Sequence, residues 1–64
     1  MKATIIQNSS TNEIICYKIN DKKVSKNIYH EKINSFLFWK NQIPMQITGR
    51  YKNGNFKHES YYSC

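Results

Sequence analysis

The sequence predicts an α+β domain of order ββαββ, in which a small antiparallel sheet carries one helix on one face. Residues 28–42 form the only stretch with helical spacing of apolar residues. Short runs rich in β-branched and aromatic residues precede and follow it, as is typical of strands. At 64 residues, the chain is predicted to be a single domain spanning 1–64.

The first two predicted strands cover residues 2–7 and 13–19, joined by a polar turn at 8–12. Alternation places Ile15 and Tyr17 on one face of the second strand, and Ile14 and Cys16 on the other. A hairpin built this way has apolar residues on both faces. Either a second chain covers one face, or the alternation is imperfect.

The helix is predicted to follow a turn or loop at residues 20–23. Ser25 or Asn27 caps it, and Ser25 is favoured because Val24 and Tyr29 then form a hydrophobic staple. Pro44 predicts an end near Asn41. Projection at 100° per residue gives a broad apolar stripe for the core. Its members are Ile28, Tyr29, Ile33, Phe36, Leu37, Trp39 and Ile43.

Phe38 falls outside that stripe, in the polar half of the helix beside Asn34. We expect this ring to be exposed or covered by a second chain. An aromatic side chain flanked by polar residues is typical of a protein-binding helix. The candidate protein-binding residues are therefore Phe38, Trp39 and Asn34.

The last two strands are predicted to flank Lys52-Asn53-Gly54-Asn55, with Asn53-Gly54 as a type I′ turn. That register places Tyr51 opposite Phe56. It gives an apolar face, with Met45, Ile47 and Tyr62, that should meet the helix. The polar face would then carry Arg50, Lys57 and Tyr61 towards solvent.

The net charge of +6 favours acidic or polyanionic partners. Ile, Lys and Asn fill 26 of the 64 positions, a bias that A/T-rich codons produce and that suggests a phage or mobile element. Cations beside an exposed aromatic ring are typical of single-stranded nucleic-acid binding, and lysines before a helix attract phosphate. The candidate nucleic-acid-binding residues are Arg50, Lys57, Tyr61, Lys18, Lys22, Lys23 and Lys26.

No metal or cofactor site is predicted. Cys16 and Cys64 are expected to be free thiols, because their spacing fits neither a disulfide-rich secreted domain nor, with His30 and His58, a zinc site. No apolar run approaches the ~20 residues of a membrane span, so we expect no membrane partner and a cytoplasmic location. The small size makes a second copy of the chain a candidate partner.

Three functions are open on these grounds. The first is a small non-enzymatic protein that binds nucleic acid. The second is a phage-encoded inhibitor of a host protein, such as a defence nuclease or a replication or transcription enzyme. The third is a small ribonuclease using Arg50, His58, Glu59 and Tyr61, which is disfavoured because neighbouring strand residues point to opposite faces.

Overall fold

The computed structural model describes residues 1–51 and 53–63, and shows a five-stranded antiparallel sheet with one helix. The α+β class and the single helix are confirmed. The order ββαββ is wrong, because three strands precede the helix. The strands are β1 (Lys2–Gln7), β2 (Ile14–Ile19), β3 (Lys22–Val24), β4 (Met45–Arg50) and β5 (Phe56–Tyr61); the helix α1 spans Lys26–Asn34. In the sheet, the strands lie side by side in the order β3-β2-β1-β5-β4.

The unpredicted strand β3 exists because of the turn before it. Asn20 and Asp21 have φ angles of 50° and 69°, and Ile19 pairs with Lys22 across them. Positive φ at both central residues is the conformation of a type I′ hairpin turn, which Asn and Asp tolerate well. The predicted turn or loop is therefore confirmed as a hairpin turn at Asn20 and Asp21, and it is wrong for Lys22 and Lys23, which belong to β3.

The predicted first hairpin is confirmed, with Ala3 opposite Ile19 and Ile5 opposite Tyr17. The Asn8 side chain holds its turn by accepting from the N–H groups of Ser10 and Thr11. The pairing shifts after Ile6, which faces Cys16, because Gln7 then faces Ile14. Such a bulge leaves one residue of β2 unpaired. The irregular alternation of β2 thus comes from a bulge, and Ile14 and Ile15 are about half exposed there.

The helix begins as predicted at Ser25, whose Oγ accepts from the N–H of Ile28 at 3.3 Å. Tyr29 and Phe36 point from it into the core, where they meet Ala3 and Tyr62, with Ile33 and several strand residues around them. The strand residues in this core are Ile5, Tyr17, Ile19 and Val24, and Met1 joins them just before β1. We call the side of the sheet they share the helix-bearing face. The helix lies over β1–β3, so most of β4 and β5 on that side is uncovered.

The regular α-helix ends at Asn34 and does not continue to Asn41 as predicted. Ser35–Trp39 form a π-helical turn, and Asn41, with φ 49°, then reverses the chain. A π-turn holds more residues than an α-turn, so it rotates every later side chain out of the 100° projection. Phe38 is 80% exposed, as predicted. The prediction that Trp39 and Ile43 lie in the core is wrong, because they are 86% and 96% exposed.

The register of the last hairpin differs by one residue from the prediction. Arg50 pairs with Phe56 and Met45 with Tyr61. Gly54 has φ 88° and donates its N–H to Tyr51 O at 3.0 Å. The connection is thus one residue longer than a two-residue type I′ turn. The one-residue slip moves each side chain of β4 to the face opposite the predicted one, whereas β5 keeps its predicted faces. Lys52, in that connection, and Cys64 lie outside the described residues.

In the part of the chain that the structure describes, no helix is both long and apolar enough to cross a membrane.

Candidate nucleic-acid interface

The side of the sheet opposite the helix is basic. Residues that face each other across antiparallel strands point to the same side. The register therefore groups Lys2 with Tyr61, and Lys18 with Lys23 and Thr4. We call this side the open sheet face and define it by its charged and polar residues. They are Lys2, Thr4, Lys18, Lys23, Lys57, Glu59 and Tyr61.

Glu59 is the acidic centre of the open sheet face, with a side chain only 12% exposed. Its carboxylate lies 3.0 Å from Lys57 Nζ and 4.0 Å from Lys2 Nζ. It also accepts a short hydrogen bond from the Tyr61 hydroxyl. The Tyr61 and Lys57 hydrogen bonds hold the pKa of Glu59 below its ordinary value, and the same bond to Glu59 raises the pKa of Tyr61. Glu59 thereby orients two lysines and one aromatic ring.

Lys2 has a second acidic neighbour at the edge of this face. Its Nζ lies 2.7 Å from Asp21 Oδ1, in the turn between β2 and β3. This hydrogen bond raises the pKa of Lys2 and lowers that of Asp21. Asp21 is three-quarters exposed, so solvent screens the attraction and the pair contributes little to stability.

Lys18 and Lys23 lie directly opposite each other on neighbouring strands. Among the residues described, neither forms an ion pair. Like charges directly opposite each other across a sheet are destabilising. An anion placed between the two ammonium groups would remove this repulsion.

Thr4 lies between Lys18 and Glu59 in the same row of the sheet. The residue is 3% exposed, and its Oγ1 has no hydrogen-bond partner among the residues that the structure describes. A buried hydroxyl without a partner costs about 1–3 kcal/mol. The hydroxyl is therefore a polar group beneath the cationic side chains that a ligand oxygen could satisfy if they move apart.

The structure brings together only part of the predicted nucleic-acid site. The residues that share the open sheet face are Lys18, Lys23, Lys57 and Tyr61, although the sequence pattern predicts a turn or loop at Lys23 and not a strand. Lys2 completes the group, and its place on this face could be found from strict alternation along β1.

Three predicted residues lie elsewhere. Arg50 is opposite Phe56 on the helix-bearing face, with its guanidinium carbon 5.9 Å from that ring's centroid. Its predicted place beside Lys57 is wrong because of the register slip. Lys22 also lies on the helix-bearing side, paired with Ile19, and Lys26 is in the first turn of α1. They are exposed cations outside the open sheet face.

The apolar residues of β4 are also on the unexpected side. Ile47 faces Glu59, and Met45 faces Tyr61, so both belong to the open sheet face and not to the core. They are 50% and 61% exposed. An apolar strip along β4 thus borders the lysines.

The candidate catalytic groups remain divided between the two faces. His58 is on the helix-bearing side, where its ring nitrogens lie 2.8 Å from Gln7 Oε1 and 3.2 Å from Thr48 Oγ1. Glu59 and Tyr61 bond to each other on the open side. The Arg50 guanidinium lies on the same side as His58. These four groups therefore cannot converge on one reacting atom without a change in the sheet.

Within residues 1–51 and 53–63, His, Cys, Asp and Glu form no group of three or more that could hold a metal ion. Cys16 is a half-buried free thiol. Comparisons with protein-family models, with curated proteins and with solved structures find no match.

Proposed function

We propose that this chain is a small, non-enzymatic, nucleic-acid-binding protein, and that the open sheet face is its binding surface. The observation that carries the proposal is the pair Lys18 and Lys23, which face each other and, among the described residues, form no ion pair with an acid. A phosphate between them neutralises two charges that otherwise repel. The net charge of +6 adds a long-range attraction for a polyanion.

The strands of the open sheet face have two different roles in this proposal. The lysines of β1, β2 and β3 follow the phosphate backbone, and Tyr61 on β5 offers a ring on which a base can stack. Glu59 holds that ring and Lys57 in place before the ligand arrives. A face prepared in this way loses less side-chain entropy on binding.

The exposed face favours a single strand over a duplex. Stacking on Tyr61 requires a base that is not already stacked and paired, and the apolar strip at Met45 and Ile47 offers further contact to unpaired bases. Neither feature contributes to binding a duplex through its phosphates alone.

The direct test is the binding of labelled single-stranded and duplex DNA and RNA, followed by fluorescence anisotropy over a salt series. We expect single strands to bind more tightly than duplexes, with affinity falling steeply as salt rises. An absence of binding at low salt, or a log–log slope near zero, would overturn the proposal.

Tyr61 separates stacking from simple charge attraction. Tyr61→Ala should weaken single-strand binding by about 1–3 kcal/mol, because it removes a stacking platform. Tyr61→Phe retains the ring and serves as the matched control, losing only the hydroxyl that bonds to Glu59. Equal affinities for the alanine variant and the unmodified protein would show that bases do not stack there.

A further inference from the structure

The two edges of the sheet are protected very differently. β3 has only three residues, two of them lysines, and a short charged edge resists pairing with other chains. β4 is the opposite edge and has six residues, and among the described strands it pairs with β5 alone. It contains no lysine and no proline, and all its residues are exposed. Every second peptide group along it points away from β5, in the position to pair with another strand.

Aromatic and apolar side chains are exposed immediately before this edge. Phe38 and Trp39 in the π-turn are 80% and 86% exposed, and Ile43 in the connection to β4 is 96% exposed. The two rings alone expose roughly 300 Å², which is already the size of the largest apolar patch on many monomers. Three large apolar side chains exposed within six residues of the chain are typical of a binding surface.

The charge of the same segment specifies the sign of its partner. Residues 35–51 contain two cations, Lys40 and Arg50, and no acid. Both cations are exposed. The four acids of the chain are Glu13, Asp21, Glu31 and Glu59, and all lie outside this segment.

We propose that β4 and the preceding π-turn bind an extended acidic segment of a partner protein by strand addition. The partner's backbone pairs with the outer peptide groups of β4, which supply the ladder. Its acidic side chains approach Lys40 and Arg50, and its apolar side chains pack on Phe38 and Trp39.

Two other occupants fit these observations less well. Nucleic acid has no peptide groups to continue the ladder of β4. A second copy of this chain would bring Lys40 and Arg50 against the same cations, in a molecule that already carries a charge of +6. Repulsion between like charges opposes that arrangement.

The test uses a synthetic strand peptide of alternating valine and glutamate, titrated into the ¹⁵N-labelled full chain. We expect amide shifts along residues 45–50 and at the Trp39 indole. The same peptide with lysine in place of glutamate should bind at least tenfold more weakly. Two further peptides carry N-methyl groups on alternate amides, one on the odd-numbered set and one on the even-numbered set. Binding should be abolished in one of them and retained in the other, because only one set of amides faces β4.

Trp39→Ala should weaken peptide binding about tenfold or more without unfolding the chain, since the side chain is almost fully exposed. Ile15→Ala, at the bulge of β2, removes a half-exposed apolar side chain elsewhere and should have no effect. Equal binding of the acidic and basic peptides, shifts confined to β3, or no binding up to about 1 mM would overturn the proposal. The mass of the chain without peptide should not change with concentration. A mass that rises with concentration, and no longer rises in Trp39→Ala, would overturn the proposal in favour of a second copy.

Discussion

At the scale of single residues, Glu59 orients the part of the open sheet face that lies on β1 and β5. It is the one acid on β5, and it contacts Lys2, Lys57 and Tyr61. In sequence it stands beside His58 and suggests an acid–base pair. The structure shows that strand alternation separates the two, and that Glu59 serves to orient its neighbours.

Replacing Glu59 by glutamine should flatten the response of stability to acid. The folded state lowers the pKa of Glu59 below 4.5, so its contribution is complete above that pH and is lost as the pH falls through the folded pKa. Urea unfolding measured from neutral pH down to about 3 should therefore show a smaller loss in Glu59→Gln than in the unmodified protein.

Glu31→Gln is the matched control, because Glu31 is exposed on the helix and forms no ion pair among the described residues. It should follow the unmodified protein. Parallel acid profiles for Glu59→Gln and the unmodified protein would contradict the assigned role of Glu59.

At the scale of elements, sequence patterns predict those parts of the fold that follow regular periods. The strands at 2–7 and 14–19 follow from β-branched residues, and the Ser25 cap from the staple of Val24 and Tyr29. The class and the single helix follow from the same patterns. Each failure occurs where one residue departs from a regular period.

Three departures explain what the sequence did not predict. The π-turn at Ser35–Trp39 changes the helical phase, so that Trp39 is exposed where a regular helix would bury it. The one-residue difference at Gly54 exchanges the two faces of β4 relative to β5, which moves Arg50 away from the candidate site. At Asn20 and Asp21, a type I′ turn without glycine is a weaker signal than Asn-Gly, so β3 was missed.

Substitution of neighbouring aromatic residues tests the phase of the π-turn. Phe36→Ala should destabilise the fold by about 3–5 kcal/mol, since Phe36 is buried against Tyr62 at a centroid distance of 5.2 Å. Phe38→Ala and Trp39→Ala should each stay within about 0.5 kcal/mol of the unmodified protein. Chemical denaturation measures all three. A large loss for Trp39→Ala would support a regular helix with Trp39 in the core.

Asp21 tests the turn that creates β3. Asp21→Val should destabilise the fold by about 1–3 kcal/mol, because a β-branched residue resists positive φ. Asp21→Asn tolerates that conformation but loses the ion pair with Lys2, so it should be nearly neutral. Thermal unfolding compares them. Equal destabilisation by the two variants would assign the effect to the ion pair and not to the turn.

At the scale of the whole molecule, one sheet separates three surfaces. The helix covers β1–β3 on one side and completes the core, which leaves the opposite side to the lysines. The edge strand β4 remains unpaired beyond β5. We propose nucleic acid for the open sheet face and an acidic protein segment for the edge. Both would use β4, the nucleic acid through the side chains of Met45 and Ile47 and the protein segment through the outer peptide groups.

The central claim is that nucleic acid binds through the open sheet face and not through net charge alone. The open-face variant replaces three lysines of that face by glutamine and so removes three charges from it. They are Lys18, Lys23 and Lys57. The second variant replaces three exposed lysines outside that face by glutamine. They are Lys22, Lys26 and Lys32. The two variants therefore carry the same net charge.

The most direct measurement compares the salt dependence of single-strand binding for these two variants and the unmodified protein. The open-face variant should lose most of the affinity, and its log–log slope should be shallower by about 2, as expected for three lost phosphate contacts. The second variant should keep a slope close to that of the unmodified protein. Equal losses in the two variants would contradict the account, because charge alone and not the arrangement of the open sheet face would then explain binding.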